Sequence, residues 1–110
     1  MTHTAFFGER KHAFTLTPDL IQELERKTGA GIGALCMRVP EGHFRLNELV
    51  DLIRLSLIGG GTTPQEAALL ADTYAAKRPL NESFPIAIAV LQAVWSGEPA
   101  TTSLEGTANG

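Results

Sequence analysis

The sequence predicts an α+β domain that is mainly α, with a short N-terminal β-hairpin followed by a bundle of four to five helices. Three observations predict it. Two short runs of strand-forming residues flank a glycine-containing turn near the start. Beyond residue 17 the apolar residues recur at intervals of three and four rather than two. Most of these stretches open on capping or proline residues and close on glycine or proline.

The hairpin is read from TAFF (Thr4 to Phe7) and HAFTL (His12 to Leu16) on either side of GERK, in which Gly8 can adopt a turn conformation that other residues resist. Ala13 and Phe14 break the polar alternation, so the pattern does not set the register. The first helix follows in TPDLIQELERKTGAG. Thr17 can accept free N–H groups of the first turn, Pro18 suits the first helical position, and Asp19 favours the positive end of the helix dipole. Leu20, Ile21 and Leu24 share a face, Arg26 and Lys27 suit the negative end, and Gly29 supplies a left-handed stop.

Ile32 to Arg38 gives two turns of helix, ended at Val39-Pro40 because the residue before proline leaves the helical region. Glu41-Gly42-His43 is a connecting turn. From Leu46, the residues Leu49, Val50, Ile53 and Leu57 recur at helical spacing, and Leu52, Leu55 and Ile58 widen the face. So broad a face is covered either by neighbouring helices on two sides or by a partner. Gly59 to Gly61 then form a corner. Thr63 and Glu66 make an S/T-x-x-E capping box with Pro64 at the first helical position, and Lys77-Arg78-Pro79 closes that helix. Asn81 or Ser83 caps the last helix, which places Pro85 in its first turn. That helix runs to about Trp95, is apolar nearly all round, and is expected at the centre of the core. One helical domain with its hairpin therefore spans 1 to 97, and residues 98 to 110, almost without apolar side chains, form a flexible tail.

The composition excludes several function classes. Nine Lys plus Arg against twelve Asp plus Glu leave a net charge of −3. No stretch gathers the basic residues needed to neutralise a run of phosphates, so nucleic acid is not an expected partner. The longest apolar stretch contains Pro85 and Gln92 and is far short of the roughly 20 residues that cross a bilayer. One cysteine, Cys36, cannot make an internal disulfide, and the N-terminus lacks a secretory apolar stretch, which fits a bacterial cytoplasm.

Candidate chemistry is sparse. GGGTTPQE opens a helix as phosphate loops do, but a P-loop needs G-x-x-x-x-G-K-[ST], and nothing basic stands between Arg54 and Lys77. Helix, glycine turn and helix is also the outline of a helix-turn-helix DNA reader. Its second helix would present Glu66 and Asp72 to the phosphates. Cys36 with His43 as its base lacks a third orienting group, and His3, His12 and His43 have no metal-ligand spacing. Glu23, Glu25, Glu48 and Asp51 are spaced as solvated helix faces. No catalytic residue, cofactor or metal site is expected.

The order of parts carries a resemblance. A hairpin with G-E at its turn, then LTPDLIQELERKTGAGI, RLNELVDLIRLSLIGGG, TPQEAALLA and a last apolar helix ending W-S-G, resembles the small tail proteins of gene transfer agents and their phage relatives, described as tail assembly chaperones or tail-tube-associated proteins. It covers about Phe7 to Gly97, and its most telling pieces are E-x-x-T-G-x-G-I (Glu25 to Ile32) and the helix running into Gly59-Gly60-Gly61. The resemblance implies a non-enzymatic protein that binds a tail tube or tape-measure protein during tail assembly, transiently or as part of the tail. The alternative is a helix-turn-helix-like DNA-binding regulator of a prophage-like element. Binding residues are sought among exposed apolar side chains, with Phe6, Phe7, Met37 and Trp95 the candidates, and a homo-oligomer is left open.

Overall fold

A two-residue loop closes the hairpin earlier than the sequence suggests. Gly8 lies at φ 70 and, among the described residues, no non-glycine residue has positive φ, so Gly8-Glu9 follows the pattern of a type II′ turn. Arg10 and Lys11 therefore join the second strand instead of the loop. In this computed structural model, which describes residues 2 to 97, β1 (His3–Phe7) pairs antiparallel with β2 (Arg10–Phe14), in register from Phe7 opposite Arg10 to His3 opposite Phe14. Helices α1 (Pro18–Thr28), α2 (Ile32–Arg38), α3 (Leu46–Gly59), α4 (Pro64–Ala71) and α5 (Leu80–Ser96) follow. A 3-10 turn, Val39–Glu41, extends α2, and a π turn, Asp72–Ala76, extends α4. The tail expected at 98 to 110 lies outside the described residues.

Local signals explain most boundaries. Thr17 Oγ1 accepts the Leu20 N–H at 3.4 Å, and Gly29 at φ 73 donates its N–H to the Glu25 carbonyl at 2.8 Å. The segment Glu25 to Ile32 is a joint between two helices. Thr28 Oγ1 donates to the Leu24 carbonyl at 2.7 Å and accepts the Ala30 N–H at 3.3 Å. Glu25 Oε2 accepts the Ile32 N–H at 2.8 Å, supplying to α2 the cap that its N-terminal glycine, Gly31, cannot.

α3, not α5, is the central element. α1, β2, α4 and α5 all pack against it, burying Leu49, Leu52, Ile53, Leu55 and Leu57. Its broad face is thus covered within the chain, although Leu46 at its start stays half-exposed. α5 lies against β1, α2 and α3, starts at Leu80 with Pro79 at its cap, and so carries Pro85 beyond the first turn. Pro85 leaves the Asn81 carbonyl without its usual helical donor, a tolerable loss because Asn81 is exposed. The α4 start also differs from a full capping box. Thr63 Oγ1 accepts the Glu66 N–H at 3.3 Å, but the Glu66 carboxylate turns to Arg10 of the hairpin, 3.4 Å away.

The hairpin docks through one face. Phe7, His12 and Phe14 point inward, and Phe7 meets Phe14 and Tyr74 edge-on at centroid distances of 5.7 and 5.8 Å. The outer edge of β2 is closed by the end of α3. Thr15 donates its N–H to the Ser56 carbonyl at 2.9 Å. A Cβ on Gly59 would collide with the Thr15 carbonyl oxygen, and one on Gly60 with that of Ala13. Only Gly61 of the three, at φ 113, needs glycine's conformational freedom. The triple glycine is therefore a close contact between helix and strand as much as a corner.

Candidate protein-binding surface

The four sequence candidates separate. Phe7 is only 5% exposed and belongs to the core, because the two-residue loop and the strand alternation turn it inward and its neighbour Phe6 outward. Phe6 is 65% exposed and stands beside Tyr74, Arg78 and Glu82. Met37 and Trp95, at 62% and 63%, share one groove between α2 and α5, floored by Cys36, Ile88 and Leu91 and flanked by Pro40 and Gln92. Glu82 and Trp95 sit at opposite ends of α5, about 20 Å apart at 1.5 Å per residue, so Phe6 and Trp95 are not parts of one patch.

Local sequence builds this groove simply. α2 is short and runs on, with Val39 still helical before Pro40, through the Val39–Glu41 turn to a left-handed stop at Gly42, and Met37 lies on its outer side. α5 is nearly all apolar, so its inner face is consumed by the core and Trp95 still faces outward near its C-terminus. Leu46, Leu69 and Leu80 are also exposed and were not among the candidates. Leu69 was detectable, since it lies off the Ala67, Leu70, Ala71 stripe of α4.

The polar groups near this groove are held for structural ends. The Cys36 thiol donates to the Leu91 carbonyl at 3.7 Å, and burial pushes its pKa up, the opposite of an activated nucleophile. Glu48 departs from the solvated position expected of it. It is 3% exposed, accepts from both Arg38 guanidinium nitrogens at 3.2 and 3.1 Å, and accepts the Arg45 N–H at 3.0 Å. Desolvation pushes its pKa up, but the Arg38 and Arg45 hydrogen bonds outweigh that and leave it below the usual carboxylate range. Arg38 also donates to the His43 carbonyl at 2.8 Å, so the pair fastens α2 and the following loop to α3. Among the described residues no group of three or more His, Cys, Asp or Glu is placed to hold a metal ion, and no helix is long and apolar enough to cross a membrane.

The arrangement defines a small hairpin-and-helix domain whose distinctive surface features are exposed apolar side chains, with its buried charge spent on fastening elements together. The chain belongs to the family described as phage tail tube protein, GTA-gp10, whose model matches residues 1–97. No curated protein and no solved structure matches the chain. The match spans hairpin and all five helices, so the pieces that carried the sequence resemblance lie inside it.

Proposed function

We propose that this protein is a non-enzymatic tail assembly protein that binds a tail tube or tape-measure protein in the host cytoplasm during tail morphogenesis, through the Met37–Trp95 groove. The observation that carries the reading is that groove: two large apolar side chains, each more than 60% exposed, stand over an apolar floor at one end of the helical layer. Trp and Met are side chains that anchor interfaces, because they bury large adaptable surface at small desolvation cost. Membership of a tail family supplies the class of partner.

The DNA-binding alternative draws less support. Lys77 lies 3.1 Å from Asp72 and Arg78 lies 2.8 Å from Glu82, so both cations at the end of the α4 segment already have carboxylate partners.

Co-expression with the tube and tape-measure proteins of the same tail tests the reading. Wild type should co-purify with one of them and raise its soluble fraction, and Trp95→Ala with Met37→Ala should abolish both effects while leaving the melting curve in place. Absence of co-purification and of any solubility change with either partner would refute it.

A further inference from the structure

The two edges of the hairpin are treated differently. With a two-residue loop, Phe7 and Arg10 exchange both backbone hydrogen bonds, and alternation along the ladder makes Ala5 with His12 and His3 with Phe14 the other bonded pairs. Lys11, Ala13 and Thr15 therefore aim their backbone groups away from β1, and α3 closes that side through the Ser56 carbonyl and the bare Cα atoms of Gly59 and Gly60. Thr4 and Phe6 aim theirs away from β2. Among the described residues nothing bonds to those two N–H and two C=O groups.

The open edge borders an apolar trough. It is lined by His3 and Ala5 of β1 and by Phe84, Pro85, Ile88 and neighbouring residues of α5, with no residue of β2, which places it on the unpaired side of β1. No Asp, Glu, Lys or Arg lines it, and burial holds the His3 pKa below its ordinary value, so the trough is uncharged at neutral pH. β1 itself, HTAFF, lacks the proline, lysine and acidic residues with which exposed edges are commonly guarded against pairing.

We propose that the free edge of β1 receives a third strand, an extended segment of the tail-protein partner with uncharged apolar residues at alternate positions. Its backbone pairs with Thr4 and Phe6, and its apolar side chains enter the trough above Phe84 and Ile88. The uncharged, apolar lining of the trough sets the chemistry of that partner strand, and a second copy of this chain is the competing outcome of the test below. This mode of binding rests on the tail-assembly reading above and adds to it a second contact, which meets the Met37–Trp95 groove at Ile88.

The test uses the full chain with the tail tube or tape-measure protein that co-purifies with it. Thr4→Pro removes an outward N–H that no native bond uses, and Phe6→Lys adds a guarding charge at the same edge, so both should keep the wild-type circular dichroism and melting curve. Each should weaken the complex at least tenfold, while Lys11→Thr on β2 leaves it unchanged. Amide exchange supplies a readout independent of folding defects: the Thr4 and Phe6 N–H groups should exchange fast in the free protein and at least tenfold slower in the complex. A complex that survives both substitutions without that protection overturns the strand-addition proposal and leaves the tail-assembly reading standing. Concentration-dependent protection of the same amides in the protein alone would also overturn it, in favour of self-pairing. Absence of any complex refutes both.

Discussion

Gly59→Ala measures whether the triple glycine is a helix stop or a contact surface. Gly59 is the last residue of α3, where alanine would ordinarily be favoured over glycine by about 0.8 to 1 kcal/mol. Here the added Cβ would lie inside the van der Waals shell of the Thr15 carbonyl oxygen, a backbone atom that cannot rotate away. Relieving the clash separates α3 from the start of the β2–α1 connection by on the order of 1 Å. That forfeits the Thr15 to Ser56 hydrogen bond, worth about 1 kcal/mol, and strains the packing of Leu20 and Phe14, for roughly 1 to 3 kcal/mol. After the propensity gain, a net loss of about 1 to 3 kcal/mol is expected, which lowers Tm by about 10 °C in a domain of this size. Gly33→Ala is the matched control, because Gly33 is helical, has ordinary φ and has nothing within 4 Å of its Cβ position. It should stabilise by up to about 1 kcal/mol. Urea unfolding followed by circular dichroism gives both values with the slope as a check on two-state behaviour. If Gly59→Ala stabilises as Gly33→Ala does, the close-contact reasoning is wrong and the glycines serve only the corner.

The remaining predictions concern core, charge and pH. Phe7→Ala should cost about 3 to 5 kcal/mol by emptying the space between Phe14 and Tyr74, whereas Phe6→Ala should stay within about 0.5 kcal/mol, both read from urea midpoints. Glu48→Gln should destabilise by about 2 kcal/mol, since it removes the buried partner of Arg38; a neutral result would show that the pair is dispensable. His12 is held below its ordinary pKa by burial first and by Arg10 second, against an opposing pull from Glu66. The unfolded chain then binds the extra proton more readily, so stability should fall as pH drops below about 6.5, and His12→Gln should flatten that slope. Glu48 adds to acid sensitivity lower down: its stabilisation is present above the unfolded carboxylate pKa and is lost as pH falls through its lower folded value.

Short-range signals made much of the fold legible. Thr17-Pro18, Gly29 and Thr63-Pro64 act within a turn or two of themselves, and the helices start or stop where those residues say. Val39, by contrast, keeps helical angles (φ −60, ψ −45) before Pro40, so the chain runs on as a 3-10 turn to Glu41 and leaves the helix only at Gly42, φ 85. The α5 start was misread because Asn81 and Ser83 are good caps in isolation, yet Pro79 breaks the chain just before and helix begins at Leu80. Half of the expected capping box at α4 was lost to a long-range partner, Arg10, that no local pattern could reveal. Glu48 read as one of several surface carboxylates, and its burial depends on Arg38 arriving from α2. The candidate surface was legible in part: Met37 and Trp95 stand together, but Phe6 and Phe7 could not be told apart until the loop length fixed which of them faces the core.

The sequence by itself determined the kinds and order of the elements, a hairpin followed by four to five helices with most of their caps, because backbone preference and apolar period are properties of neighbouring residues. It also determined the acidic balance and the family, since the order of motifs is written along the chain. Only the tertiary structure decided that α3 holds the centre, that Gly59 and Gly60 are bare so that β2 can lie against a helix, and that one edge of the hairpin is closed while the other is open. Those outcomes are set by which surfaces meet across long sequence separations, where a single oxygen against a single Cα is enough to choose.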